Sequence, residues 1–192
     1  MKKIMFNDKY GLTQAVLDGR KTMTRRVVNQ KGIDDFCVDD TTRYFVAHNY
    51  AAYQVGEVVA VAQSYKTLNE RGYVAPEWCE HTCESSAGYE NKMFVRAELM
   101  PHYIRITDIK VERLQDISDV DCLKEGIYER AALHSLHVNG YAYTFDNWSY
   151  RGIVKGSDTP KGAFATLIDK VSGKGTWDSN PWVFAYTFEL VD

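Results

Sequence analysis

The most constraining stretch of this chain is its last one, NPWVFAYTFELVD at 180–192. Trp182, Phe184, Tyr186, Phe188 and Leu190 fall on alternate positions. Side chains of a strand alternate between its two faces, so this segment reads as a strand with one buried face, and the remaining elements must cover that face. Other pieces carry the same signature. KKIMF at 2–6 reads as a short first strand, and YQVGEVVAVAQSY at 53–65 as a turn at Gly56-Glu57 running into a buried strand. HYIRITDIKVERL at 102–114 reads as two strand pieces, with Ile104 and Ile106 in one frame and Ile109 and Val111 in the next.

Helical signals are short. Leu12, Ala15 and Val16 stand at i, i+3 and i+4, and Gly19 is placed to stop that helix. In DISDVDCLKEGI at 116–127, Ser118 can cap a second helix, Asp121 is a weaker capping-box partner, and Gly126 ends it. KGAFATLIDKVSG reads as a third helix. Residues 29–53 show no clear period and read as loop-rich, and 66–92 are polar and irregular. The expected architecture is α+β: one domain over 1–192, a small, mostly antiparallel β-barrel with two or three short helices and insertions near 29–52, 66–92 and 128–162.

Composition narrows the function. The 192 residues are 45% hydrophobic and 26% charged, enough for one buried core, with a formal net charge of −3. Any contact with nucleic acid must therefore come from a local basic patch. No apolar run approaches the roughly 18 residues of a membrane helix, and the N-terminal MKKIMFNDKYG has no apolar signal-peptide core. The expectation is a cytoplasmic protein without a membrane partner. Four cysteines do not make a disulfide scaffold. Cys79, His81 and Cys83 in CEHTC only loosely resemble metal spacing, and free thiols in an insertion are the plainer reading. No metal or other cofactor is expected.

The local basic patch is GRKTMTRR at 19–26, where Arg20, Lys21, Arg25 and Arg26 surround Thr22 and Thr24. A glycine turn beside lysine and arginine makes an anion-binding corner, and the hydroxyls can contact phosphate or a base edge. The plainer alternative is a solvated basic turn between a helix and a strand. Strict alternation would put Lys21 and Thr24 on opposite faces of a strand, so Lys21 must lie in the turn before it. The aromatic run YAYTFDNWSY at 141–150, followed by Arg151, is either a stacking platform for bases or an insertion strand packed on the core. Trp177, Trp182 and Phe184 read as core.

The order of these pieces resembles the ASCH domains of the PUA-like superfamily. The resemblance is carried by AVLDGRKTMTRR at 15–26, YQVGEVVAV at 53–61, ITDIKVERLQDISDVDCLKEGI at 106–127 and GTWDSNPWVFAYTFELV at 175–191. The last is similar to the ending of larger ASCH-like proteins of phages and bacteria. The resemblance implies a closed β-barrel whose cleft takes RNA or a modified base or nucleoside. Some small bacterial members of this superfamily deacetylate N-acetylcytidine with a Lys, a Thr and a Glu, which map onto Lys21, Thr24 and Glu125. Arg25 stands where that subgroup has an aliphatic residue, and the chain is nearly twice as long.

Two readings follow. In one, the module binds RNA or a modified nucleoside, with Arg20, Lys21, Thr22, Arg25 and Arg26 contacting the ligand. In the other, an amidohydrolase acts on an N-acylated cytosine, with Thr24 as nucleophile, Lys21 as base and Glu125 as acid or orienting group. Lys21 can accept a proton only if desolvation or neighbouring cations lower its pKa. A carboxylate at the C-terminal end of a helix meets the negative end of the dipole, which suits acid–base work or a partnership with Lys21.

Overall fold

A computed structural model of the chain describes residues 1–28, 37, 39–73, 86–131, 141–145, 149–150, 153–154 and 156–191. Its backbone is a mixed five-stranded sheet. The strands are β1 (Lys3–Ile4), β2 (Met23–Val27), β3 (Val58–Val61), β4 (Tyr103–Arg113) and β9 (Trp182–Val191), in the order β1-β3-β4-β9-β2. The C-terminal strand β9 lies between β4 and β2, antiparallel to both, and β3 runs antiparallel to β4. Only the two-residue β1 pairs in parallel, with β3.

The two frames of 102–114 belong to one eleven-residue strand. Its pairing with β9 shifts between Ile106 and Asp108, so Thr107 is an extra residue that moves the apolar positions from even to odd numbers. β9 itself is buried on both faces over Trp182–Tyr186, not on one as its alternation suggests. Phe184 and Tyr186 stand opposite Arg26 and Thr24 on one face, while Val183 and Ala185 share the face of Arg25. The main core gathers Ile4, Phe6, Val59, Val61, Ile104, Ile106 and Phe188, with Trp182 and Phe184 included and Trp177 packed against it.

The closed barrel is not formed. The sheet ends at β1 and β2, which share no ladder among the described residues. After Ile4 the chain leaves the sheet for the short turn Asp8–Tyr10. In place of a ladder, Arg26 of β2 reaches across and donates to the Met5 carbonyl at 2.5 Å.

Six α-helices decorate the sheet among the described residues: α1 (Leu12–Leu17), α2 (Asp40–Tyr50), α3 (Tyr65–Glu70), α4 (Asp119–Lys124), α5 (Pro160–Ser172) and α6 (Thr176–Ser179). α1, α4 and α5 match the expected helices. Ser118 caps α4 by accepting from the Asp121 N–H, and Thr159 caps α5 ahead of Pro160. α2 corrects the loop-rich reading of 29–53. Asp39 and Thr42 form a full capping box, but only Val46 and Ala47 of the helix are buried, so its sequence carries almost no apolar stripe. α3 likewise opens the segment taken as an insertion. Its Tyr65 and Leu68 join Ala60, Ala62, Val95, Ala97 and Met100 in a second core on the other face of β3.

Over 128–162 two antiparallel strand pairs form, β5 (Tyr128–Ala131) with β6 (Tyr141–Thr144) and β7 (Ser149–Tyr150) with β8 (Ile153–Val154). Tyr143 and Phe145 pack against the main core, which fits the insertion-strand alternative, while Arg151 lies outside the described residues. So do Cys79, His81 and Cys83. No group of metal-ligating side chains occurs among the described residues, and none of their helices is long and apolar enough to cross a membrane.

Phe188 sits at the centre of the main core, with its ring 5.7 Å from that of Phe6. Phe188→Ala is expected to cost about 3–5 kcal/mol in denaturant unfolding, whereas Phe45→Ala, on the exposed side of α2, should stay within about 0.5 kcal/mol.

Candidate functional site

The basic segment folds as a staple between two helix ends. Gly19 turns the chain with φ of 71°, a conformation glycine adopts without steric cost. The Lys21 N–H then donates to the Ala15 carbonyl of α1 at 2.8 Å, and the Thr22 N–H to the Lys124 carbonyl of α4 at 2.9 Å. β2 begins only at Met23, so Lys21 lies in the turn, where strand alternation required it.

Lys21 is almost completely buried, and all three protons of its ammonium are used. Nζ donates to the Met23 carbonyl at 2.7 Å, the Glu125 carbonyl at 2.9 Å and the Glu125 carboxylate at 2.5 Å. Glu125 closes α4, and Gly126 behind it adopts φ of 98°. The carboxylate at this helix C-terminus is therefore not alone. Its second oxygen accepts from Arg25 at 3.1 Å.

Arg25 in turn reaches Glu112 of β4 through Nε at 2.9 Å and through Nη2 at 2.6 Å, and lies 3.7 Å from Asp121. Its guanidinium carbon is 6.0 Å from the Phe164 ring centroid. The result is a buried chain of charges, Lys21–Glu125–Arg25–Glu112, in which each ion meets one of opposite sign. Burial pushes the Lys21 pKa down, against the opposing pull of Glu125, and the positive charges of Arg26 and Arg25 add to the depression. Beside the cluster, burial pushes the Cys122 thiol up to about 12, which leaves it inert.

This cluster forms one end of a cleft of about 530 Å³, within the size range of small-molecule sites. The cleft occupies the gap between the two sheet edges. Met5, Phe6 and Asn7 form one wall and Thr24 to Val27 the other, and α5 adds Phe164, Leu167 and Ile168. Lys21, Thr24 and Glu125 all line it. The Thr24 hydroxyl makes no hydrogen bond among the described residues.

The other residues of the basic segment separate. Arg25 and Arg26 line the cleft, but Arg25 is committed to carboxylates and Arg26 to Met5. Arg20 points outward, paired with Asp18 at 3.1 Å and placed over the Tyr128 ring at 5.6 Å. Thr22 is held by its main chain, accepting from the Phe188 N–H at 2.9 Å and donating to Lys124.

Sequence reasoning missed Glu112 and the α5 wall. Glu112 lies two strands away from Arg25, with β9 between them, so no local spacing reveals the pair. Phe164, Leu167 and Ile168 do show the i, i+3, i+4 signal of a buried face, but that signal does not distinguish a core face from a cleft wall. Comparison of the chain with protein-family models, with curated proteins and with solved structures finds no match.

Glu125 satisfies two buried cations, whereas Glu112 is partly exposed and its partner Arg25 keeps a second carboxylate. Glu125→Gln is therefore expected to cost about 3–5 kcal/mol in chemical denaturation. Glu112→Gln should cost about 1–3 kcal/mol. An equal loss in both variants would contradict the central place of Glu125.

Proposed function

We propose that this chain is an ASCH-domain protein of the PUA-like superfamily whose cleft takes a modified nucleoside and hydrolyses an N-acyl group from its base. The observation that carries this is the buried contact of Lys21 with Glu125 at 2.5 Å, in one cleft with a Thr24 hydroxyl that no other group engages among the described residues. The sheet order supports a PUA-like reading as a barrel left open at one seam, where Arg26 bridges β2 and Met5. The setting proposed for this activity is the cytoplasm.

The chemistry balances with these three side chains. At 2.5 Å, one proton can pass from the Lys21 ammonium to the Glu125 carboxylate, leaving an amine and a carboxylic acid. Thr24 Oγ1 then attacks the carbonyl carbon of the acyl amide, and its proton goes to Lys21 Nζ. Glu125 protonates the exocyclic nitrogen as the C–N bond breaks, and the base leaves as a free amine. The Lys21 proton then passes again to Glu125, Lys21 Nζ takes a proton from the water that attacks the Thr24 ester, and Glu125 returns one to Thr24 Oγ1 as the ester C–O bond breaks, which frees the carboxylic acid and restores the ammonium and carboxylate. Arg25 holds Glu125 in place from its far side throughout.

A second reading, in which the cleft binds RNA or a modified nucleoside without reaction, draws on Arg20. That guanidinium stays at the surface over Tyr128, as a contact to phosphate or to a base would require. Under this reading affinity for short RNAs falls with salt and N-acetylcytidine survives incubation.

The decisive experiment follows acetate release from N-acetylcytidine. Thr24→Val removes an unpartnered hydroxyl, so stability should change by less than about 1 kcal/mol while turnover falls about a thousandfold or more. Wild-type turnover in Thr24→Val would eliminate the nucleophile, and no turnover by the wild type would leave the binding reading.

The pH profile gives an independent check. Turnover needs the proton that Lys21 and Glu125 share, because Glu125 delivers it to the leaving nitrogen, so turnover should fall with rising pH along a limb centred below the ordinary lysine value of about 10.4. Lys21→Arg, which stays protonated, should lose both that limb and turnover. The same shift acts on folding. The unfolded chain keeps this proton up to about pH 10.4 and the folded chain releases it earlier, so the Lys21 contribution to stability increases with pH between those two points.

A further inference from the structure

One wall of the cleft is lined by four consecutive residues, Thr24 to Val27. A strand that lines a cavity with its face contributes alternate residues, and a consecutive run means that it presents its edge. The hydrogen bonds show which groups that edge carries. The Phe188 N–H donates to the Thr22 carbonyl and the Val28 N–H to the Trp182 carbonyl, each at 2.9 Å. Bonded positions of an antiparallel pair recur at every second residue, so the main chains of Thr24 and Arg26 face β9 and those of Met23, Arg25 and Val27 face away.

The Met23 carbonyl is already taken by Lys21 Nζ at 2.7 Å. The N–H and C=O groups of Arg25 and Val27 have no partner among the described residues. The facing wall supplies none, and its carbonyls accept from other groups. Met5 accepts from Arg26, Phe6 from Lys92 and Asn7 from the Leu12 N–H. Main-chain groups this deep in a cleft require a partner, in the form of solvent or ligand.

We infer that the cleft reads the edge of a nucleobase with the main chain of β2, through the N–H and C=O of Arg25 and the N–H of Val27. This rests on the nucleoside reading given above and specifies how the base is held. One extended residue presents an adjacent donor and acceptor on one edge, which complements a planar ring that offers an adjacent acceptor and donor. Cytosine does so with its ring nitrogen N3 and its exocyclic amino group. Phe6, Leu12, Phe164 and Leu167 line the cleft and supply apolar surface for the ring faces. An exocyclic nitrogen bound at the Arg25 carbonyl keeps its acyl substituent in the cleft that Thr24 lines. The edge also suits an added peptide strand, but Arg26 crosses the gap to Met5 and leaves no continuous path for an extended chain.

The test uses cytidine, the product of the proposed reaction, as probe. In the free protein the amides of Thr24 and Arg26 should exchange slowly with deuterium and those of Arg25 and Val27 quickly, and cytidine should protect the latter two. Val27→Pro deletes a donor that the β2–β9 ladder does not use, a position where an edge strand tolerates proline. It should keep the fold and weaken cytidine binding about tenfold, whereas Val28→Pro, which deletes the bond to Trp182, should lower the melting temperature.

Cytidine that binds while the Arg25 and Val27 amides still exchange quickly would overturn the inference, as would a folded Val27→Pro protein with unchanged affinity. The two proposals fail separately. Turnover of N-acetylcytidine without this protection leaves the hydrolase and removes the edge reading, and protection without turnover does the reverse. Protection of both amides by an extended peptide and not by cytidine overturns the nucleobase assignment.

Discussion

The buried contact between Lys21 and Glu125 is the interaction on which the rest of the site depends. It joins two residues 104 positions apart and closes the turn after α1 against the end of α4. Two charges removed from water are costly, and they are tolerated only when every remaining donor and acceptor is matched. Lys21 meets that condition with three acceptors, and Glu125 meets it with Arg25 on its second oxygen. Arg25 then carries the demand to Glu112, so a strand edge, a helix end and the middle of the sheet are tied into one electrostatic unit. The basic look of residues 19–26 is misleading in this respect: two of its four cations, Lys21 and Arg25, are neutralised inside the protein.

The second constraint is the seam of the sheet. β1 has two residues and the chain turns away after it, so β2 keeps a free edge beside Met5–Asn7. A completed barrel would consume that edge in a ladder and fill the cleft. Here Arg26 spans the gap with a single side-chain bond, and α5 covers its flank with Phe164, Leu167 and Ile168. The Lys21–Glu125 pair at one end and, among the described residues, the unpaired main-chain groups along one wall accompany the same incomplete closure.

Much of this was legible in the residues. The alternation of 182–190 identified the C-terminal strand though not its second buried face, Ser118 and Gly126 bounded α4, and the resemblance carried by GRKTMTRR and LKEG singled out Lys21, Thr24 and Glu125, which line one cleft. What stayed hidden was non-local or weakly patterned. The bulge at Thr107 made one strand look like two. α2 buries only two residues, so its capping box was its one clear signal. Glu112 sits in a strand whose neighbouring positions alternate with solvent, and its role depends on an arginine two strands away. The open seam follows from where the chain turns after Ile4, which depends on Lys92 and Arg26 binding carbonyls of that segment.

Thr24 is proposed above as a nucleophile activated by the Lys21–Glu125 pair. This role is tested most directly by acid-quenching the protein during its reaction with N-acetylcytidine and mapping the modified residue by mass spectrometry. One acetyl group is expected on Thr24, disappearing as substrate is exhausted and absent from Lys21→Arg. Acetate release with Thr24 never acetylated would contradict it.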